Sequence, residues 1–383
     1  MSASPTDRLL ALLRADPDRF TKDLYATLFA LAPETREMFP ANMAEQRQVL
    51  FDTLELLLTG LGTEDEQDLI AFLAQLGRDH RRYGVTSAHY QAFTKALVWT
   101  IRDRVGPRPD PALRTVIVRL AGITAATMDG AARAEAEHLP AYWEATVLEH
   151  HRLTRDLALV RLQADAAVPY LPGQYVSVQV PQAPGQWRFL SPTIPADAHG
   201  LLEFQVRAVD GGQVSPRIVT GTGVGDRWRI GAPHGALEVD RQAGSDVLMI
   251  AGGSGIAPLR ALILDMCNYG FNPRVHLFYG ARHPGELVEL ATLWQISMTN
   301  PWLTVVPVAE DPEDPWWLRT DPELLRGGLH TLRTGTLAQV VGSYGSWSDR
   351  QVLVSGSPRM IRSTVRHLTR IGTPADNIAY DPY

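Results

Sequence analysis

The chain has 383 residues, 45% of them hydrophobic and 20% charged, with a formal net charge of −6. At roughly 100–200 residues per domain this length predicts two or three ordinary globular domains, and the acidic balance gives no reason to expect a nucleic-acid or anionic-membrane partner. The single cysteine, Cys267, excludes an intramolecular disulfide and a cysteine-built zinc or iron–sulfur cage; with no apolar run near the ~20 residues of a membrane span and no signal-peptide pattern, a cytoplasmic protein is expected.

Up to about residue 140 the apolar residues recur at helical spacing and glycine is sparse. Leu24, Tyr25, Leu28 and Phe29 share one helical face, and Leu50, Leu54, Leu57, Leu58 and Leu61 share another. A third stripe runs through Leu69, Phe72, Leu73 and Leu76 to His80, and Asp110 to Ala136 reads as a further helix. The first part, 1–140, is therefore predicted to be all-α, with His138-Leu139-Pro140 as the hinge. From 141 to 243 short alternating runs follow: Leu157 to Leu162, Tyr175 to Val180, Leu202 to Val206 and Arg227 to Ile230, punctuated by Gly, Pro and Asp. That pattern predicts an antiparallel sheet closed into a small β-barrel. From 244 to 383 fully apolar short strands, Val247–Ile250, Val275–Tyr279, Leu303–Val308 and Val352–Val354, alternate with helical stretches. Such strands belong to a parallel α/β sheet covered on both faces.

Two strand-to-helix turns carry chemistry in the third part. In Gly252, Gly253, Ser254, Gly255 and Ile256 the missing side chains let backbone N–H groups approach a ligand, and Pro258 stands in the first turn of the next helix, whose positive end suits a pyrophosphate. Ser355, Gly356, Pro358 and Met360 mark a second such turn, at the end of the last strand, so both turns are predicted to line one crevice at the carboxyl ends of the strands. In the barrel, Leu171-Pro172-Gly173-Gln174-Tyr175 leads into a strand. Arg188, Phe189, Leu190 and Ser191 supply a cation and a hydroxyl beside a strand end. Gly211, Gly212, Gln213, Val214 and Ser215 supply flexible backbone and amide donors. Each of these alone reads as a hairpin turn.

Together and in this order they resemble the ferredoxin–NADP reductase superfamily over about 240 residues. Arg188 to Ser191 is similar to the flavin motif R-x-Y-S, and Gly212 to Ser215 to G-x-V-S. Gly253 to Pro258 is similar to G-x-G-x-x-P, and Ser355 to Met360 to C-G-x-P-x-M. Gly223 to Asp226 resembles the turn before the last barrel strand. The resemblance implies FAD held by Tyr175, by Arg188 to Ser191 and by Gly212 to Ser215, and NADH or NADPH on the two glycine turns. Leu190 stands where the family has an isoalloxazine-stacking tyrosine, which a leucine cannot replace. Ser355 stands for a cysteine and keeps a small polar group. Arg282, after Tyr279-Gly280-Ala281, suits either a 2′-phosphate or the adenine ribose, so the coenzyme stays open.

His80, at the end of an apolar stripe, reads on its own as a satisfied core histidine. Its surroundings resemble the globin domain of flavohaemoglobins. Leu24-Tyr25 to Phe29 is similar to F-Y-x-x-x-F, and Pro33 to Phe39 to P-E-x-x-x-x-F. Gln46-Arg47 matches Q-R, Asp79-His80 matches K-H, and Tyr90 matches the tyrosine of P-E-x-Y. The order globin, flavin domain, nicotinamide domain is the flavohaemoglobin order, and the ending Ile378 to Tyr383 resembles that family's, with Tyr383 packing on the flavin. The resemblance implies haem b with His80 as axial iron ligand and Phe39 on the porphyrin. Tyr25 and Gln46 become distal donors to a ligand that carries partial negative charge, Leu50 limits pocket volume, and Tyr90 orients the imidazole. The glutamate that flavohaemoglobins place near the proximal histidine is missing from Met128 to Glu135, with Asp129 and Glu135 as displaced candidates.

The activity this implies is an NAD(P)H-dependent nitric oxide dioxygenase acting on NO and O₂, as a monomer or homodimer. The alternatives are a haem oxidase or peroxidase, a reductase for another acceptor, a haem-based gas or redox sensor, and a globin fold without haem.

Overall fold

The computed structural model describes residues 4–106, 108–325 and 331–381. They cluster into two compact units, Met1–Tyr142 and Trp143–Tyr383.

The first unit is helical: α1 (Pro5–Arg14), α2 (Pro17–Leu31), α3 (Ala44–Gly60), α4 (Glu66–His80), α5 (Ser87–Val105) and α6 (Pro111–Ala136). Three of these begin the same way. Ser4, Asp16 and Asp110 accept backbone N–H groups of the first turn, and each is followed by a proline that needs no N–H partner there. The apolar stripes meet in one core that includes Leu24, Leu54, Leu58, Leu73, Leu97 and Leu120. Phe72 departs from the expected stripe and is 41% exposed. Three residues advance a helix by about 300°, so Phe72 stands some 60° off the line of Leu69, at the edge of the buried face. Helices α4 and α6 cross at Gly77. A Cβ there would fall 2.2 Å from the Met128 carbonyl oxygen, so only glycine permits this approach.

The second unit begins with β1 (Trp143–Arg152), β2 (Leu157–Ala164), β3 (Tyr175–Gln179), β4 (Trp187–Leu190), β5 (Leu201–Arg207), α7 (Ser215–Gly221) and β6 (Arg227–His234). The strands run antiparallel in the order β4-β3-β6-β1-β2-β5. The edges meet where Pro192 bridges Phe204 and the Thr193 N–H donates to the Glu203 carbonyl, which closes the sheet on itself as the alternation predicts.

The remainder is β7 (Val247–Gly252), α8 (Ile256–Met266), β8 (Val275–Ala281), α9 (Leu290–Thr299), β9 (Leu303–Ala309), β10 (Arg333–Thr334), α10 (Leu337–Gly342), β11 (Gln351–Ser355), α11 (Pro358–Arg370) and β12 (Ile378–Ala379). All pairs are parallel, in the order β10-β9-β8-β7-β11-β12. Met249, Leu277 and Val305 pack on one face, and Leu248, Phe278 and Val306 on the other, which explains strands without alternation. The chain moves outward from β7 to β10 and returns to its other side at β11. The ends of β7 and β11 are thus the topological switch point where open α/β sheets bind ligands. Among the described residues no helix is long and apolar enough to cross a membrane.

Candidate functional site

In the helical unit, α2, the turn after it and α3 bring four of the singled-out side chains together. Tyr25 is buried, its ring edge-on to Phe39 at 5.2 Å and 5.9 Å from Phe29. Its hydroxyl shares a hydrogen bond with the Gln46 side chain. Burial pushes that hydroxyl up to about 12, against the opposing effect of Gln46, so at neutral pH it is a donor and not an anion. Leu50, one turn beyond Gln46, and Phe39 are half-buried on the same core.

His80 is the last residue of α4. Its Nδ1 lies 2.6 Å from the Leu76 carbonyl oxygen. A carbonyl only accepts, so Nδ1 carries the proton and the Nε2 lone pair is left for a metal. Burial chiefly holds the imidazole below the ordinary histidine range, with the Leu76 bond opposing, and keeps it neutral as a ligand must be. The Tyr90 hydroxyl donates to the Gly77 carbonyl at 3.4 Å, and His80 has Leu76 as its acceptor. Neither displaced carboxylate reaches the imidazole: Glu135 takes the Arg81 guanidinium at 2.7 Å, and Asp129 takes the Ser87 hydroxyl at 2.6 Å. Among the described residues no cluster of three or more His, Cys, Asp or Glu side chains could hold a metal alone. An iron at His80 would have to bring its other ligands, as haem iron does.

In the barrel, β3, β4 and β6 gather Tyr175, Phe189 and His234 into an aromatic cluster with centroids 5.1–5.6 Å apart. On the same strand as Phe189, Arg188 is exposed and, among the described residues, its side chain makes no ion pair or hydrogen bond. Arg161, Arg207 and Arg227, on other strands of the same sheet, are all ion-paired. An exposed, unengaged guanidinium fits a flavin phosphate. Leu190 pairs across to Val176 and is half-buried, and Ser191 follows the strand end. The stretch expected to be flexible is a pinned turn. The Gly212 N–H donates to the Val209 carbonyl at 2.9 Å, and the Ser215 hydroxyl accepts from Val209 N–H at 3.1 Å. Val214 and Ser215 are buried and Gln213 is exposed, so the Gly212 amide is not available as a phosphate donor.

The two glycine turns of the parallel sheet come together as expected. β7 and β11 are neighbours, paired Ala251 to Ser355. A Cβ on Gly255 would meet the Ser355 carbonyl at 2.4 Å and Gly356 Cα at 2.5 Å. Gly252 and Gly356 both pack on the end of the Met360 side chain. Ile256 is the first residue of α8 and Pro258 lies in its first turn, as Pro358 does in α11. Gly253 and Ser254 form the turn between. Arg282 is exposed just after β8, its backbone N–H donating to Glu286 at 3.1 Å.

Three residues escaped the sequence reading. His234 carries no signal beyond its place at a strand end. Asp381 is buried and accepts the Ala236 N–H at 3.1 Å, fastening the C-terminal segment to the turn after β6. Burial raises its carboxyl. Arg260 lies in an apolar helix and had no visible partner in the sequence. Tyr383 lies outside the described residues.

Family comparisons agree with this geometry. The globin family matches residues 22–128, the oxidoreductase FAD-binding domain 144–239 and the oxidoreductase NAD-binding domain 249–366. The chain is 31% identical to the ferredoxin–NAD(P)+ reductase CarAd of Metapseudomonas resinovorans over 242 residues, 63% of this chain and 68% of that protein. It is 29% identical to the phenol hydroxylase P5 protein of Acinetobacter pittii (strain PHEA-2) over 235 residues, 60% of this chain and 62% of that one. Among solved structures, the flavohemoglobin of Malassezia yamatoensis, with bound FAD and heme, superposes with a TM-score of 0.72 at 16% identity, covering 99% of this chain and 98% of that one. The chain therefore belongs to the ferredoxin–NAD(P)+ reductase family of FAD- and NAD-binding oxidoreductases. A globin domain precedes the reductase module, which gives it the flavohaemoglobin domain order and fold.

Proposed function

We propose that the chain passes electrons from NAD(P)H through FAD to a haem held by His80, and that it is a nitric oxide dioxygenase: one NO, one O₂ and one electron give one nitrate. The observation that carries the haem reading is the Nδ1 bond of His80 to Leu76, which leaves the Nε2 lone pair to hold a haem iron, were one bound. We take 1–140, 141–243 and 244–383 as the haem, FAD and NAD(P) domains. Haem iron, when bound, supplies the O₂ site, and FAD converts two-electron delivery into single electrons. Tyr25 and Gln46 offer the distal hydrogen bond, Phe39 packs on the porphyrin and Leu50 narrows the pocket. Tyr90 acts at one remove, by bonding the Gly77 carbonyl three residues before His80. Arg188 and Ser191 hold the flavin, with Tyr175 and Phe189 as the aromatic wall where Leu190 provides none. The glycine turns at 252–256 and 355–356 take the dinucleotide pyrophosphate.

The test is stopped flow. The NADH-reduced, oxygenated protein should consume NO within milliseconds and release nitrate. A second reading, reduction of another acceptor, has its own support: relatives at 30–31% identity are a ferredoxin–NAD(P)+ reductase and a phenol 2-monooxygenase reductase component, and His80 bonds a neutral carbonyl rather than a carboxylate. Slow NO consumption beside rapid reduction of an added acceptor would select it.

A further inference from the structure

Arg260 projects from α8, the helix that follows the dinucleotide glycine turn. Its Nη1 donates to Glu203 Oε1 at 2.8 Å and to the Thr193 carbonyl at 3.0 Å, and its Nε lies 3.0 Å from Glu289 Oε2. Glu203 and Thr193 belong to the barrel, and Thr193 stands two residues after Ser191, at the seam that closes the sheet. Glu203 also takes the Thr193 hydroxyl at 2.6 Å and the Arg161 guanidinium at 2.7 Å, and Gln205 of β5 reaches Glu289. The acidic side chains are almost wholly buried, 4% exposed at Glu203 and 8% at Glu289, and that of Arg260 is 13% exposed. Two arginines thus balance two buried glutamates across the junction between barrel and sheet.

Burying such a group is expensive, and well-packed apolar side chains would serve stability as well or better. What apolar contacts cannot supply is a planar fork with fixed bond directions. The side chain rises from α8, the helix that follows the nicotinamide turn, and its Nη1 arm ends at the strand end carrying the flavin motif, while Nε forms an ion pair with Glu289 at the start of α9. We infer that Arg260 is a positioning residue that sets the flavin motif against the nicotinamide turn for hydride transfer. In that step a C–H bond of the dihydronicotinamide breaks and an N–H bond of the flavin forms, the electron pair travelling with the hydrogen. The inference rests on the NAD(P)H-to-FAD path.

The experiment uses the full-length, cofactor-loaded protein as wild type, Arg260→Lys and the double variant Arg260→Met/Glu289→Gln, which removes opposite charges together. Flavin reduction by saturating NADH is followed with the flavin–nicotinamide charge-transfer absorbance, and amide exchange is measured on cofactor-free protein. A misplacement of about 1 Å can cost about 100-fold. The double variant should lose at least about 10-fold in reduction rate per bound FAD, together with the charge-transfer band, while FAD content and half-saturating NADH hold. Arg260→Lys should recover part of both. Exchange should rise in the segments 190–194 and 253–258. If the double variant does not fold, Arg260→Lys alone decides by the same two readouts. Wild-type rate and band in the folded variants overturn the inference, whereas a wild-type protein that NADH does not reduce overturns the NAD(P)H-to-FAD reading instead.

Discussion

The helical unit and the reductase unit build their sites from different materials. In the first, everything proposed to face a ligand is a side chain: Tyr25, Phe39, Gln46, Leu50 and His80, carried by α2, the turn after it, α3 and α4. In the second, most of the proposed nicotinamide site is backbone, presented by turns whose glycines are pressed against each other, and the proposed flavin site adds an exposed side chain, Arg188. A side-chain site should fail residue by residue, each loss proportional to one interaction. A backbone site should fail all at once, because any added atom moves the turn.

Four measurements sharpen or break that contrast. His80→Ala should abolish the haem absorption band, since it removes the Nε2 proposed to hold the iron; an unchanged visible spectrum would remove His80 as the ligand. Gly255→Val should cut flavin reduction by NADH about 100-fold with FAD content intact, because the new side chain begins 2.4 Å from the Ser355 carbonyl. A modest change there would mean that the turn yields and the backbone picture is wrong. Arg188→Ala should weaken FAD binding about 10-fold or more, the worth of one or two charge-assisted hydrogen bonds of about 1.5–3 kcal/mol each. Fluorescence titration of the apoprotein reads this directly.

The smallest effect is in pH. Tyr25 titrates near 12 when folded and near 10 when unfolded. The folded state therefore keeps a proton that the unfolded state has lost. The stability this contributes is present below about 10 and declines as pH rises towards about 12. Tyr25→Phe should flatten that part of the alkaline unfolding curve. An identical curve in the two proteins would show that Tyr25 is not buried as described.

Much of this was legible in the sequence because local pattern and tertiary role agree. The stripes of α2, α3 and α4, the apolar strands β7, β8, β9 and β11 and both glycine turns declare themselves within a dozen residues. Strand β1 did not, because a bulge between Val147 and Glu149 breaks its alternation and its second half carries two histidines and an arginine. The short helix α7 was hidden by the glycines before it. Phe72 shows the limit of periodicity, which marks a face but not its edge. The Arg260 network was invisible for a different reason. Glu203, Arg260 and Glu289 lie far apart in the chain, and nothing near any of them announces a partner. Arg188 was legible as a motif, while its lack of a partner is a fact of three dimensions.

Gly77 carries a consequence for how His80, the proposed iron ligand, is held. A Cβ on Gly77 would fall 2.2 Å from the Met128 carbonyl oxygen and 2.6 Å from its Cα, so α4 rests on α6 backbone to backbone at this point. The contact is a bearing point, and His80 lies one helical turn beyond it on the same shaft. The depth of the imidazole is therefore set by where two backbones touch. Side chains around the ring can drift without moving it, whereas a single methyl group placed at the bearing, a whole turn away, would displace it.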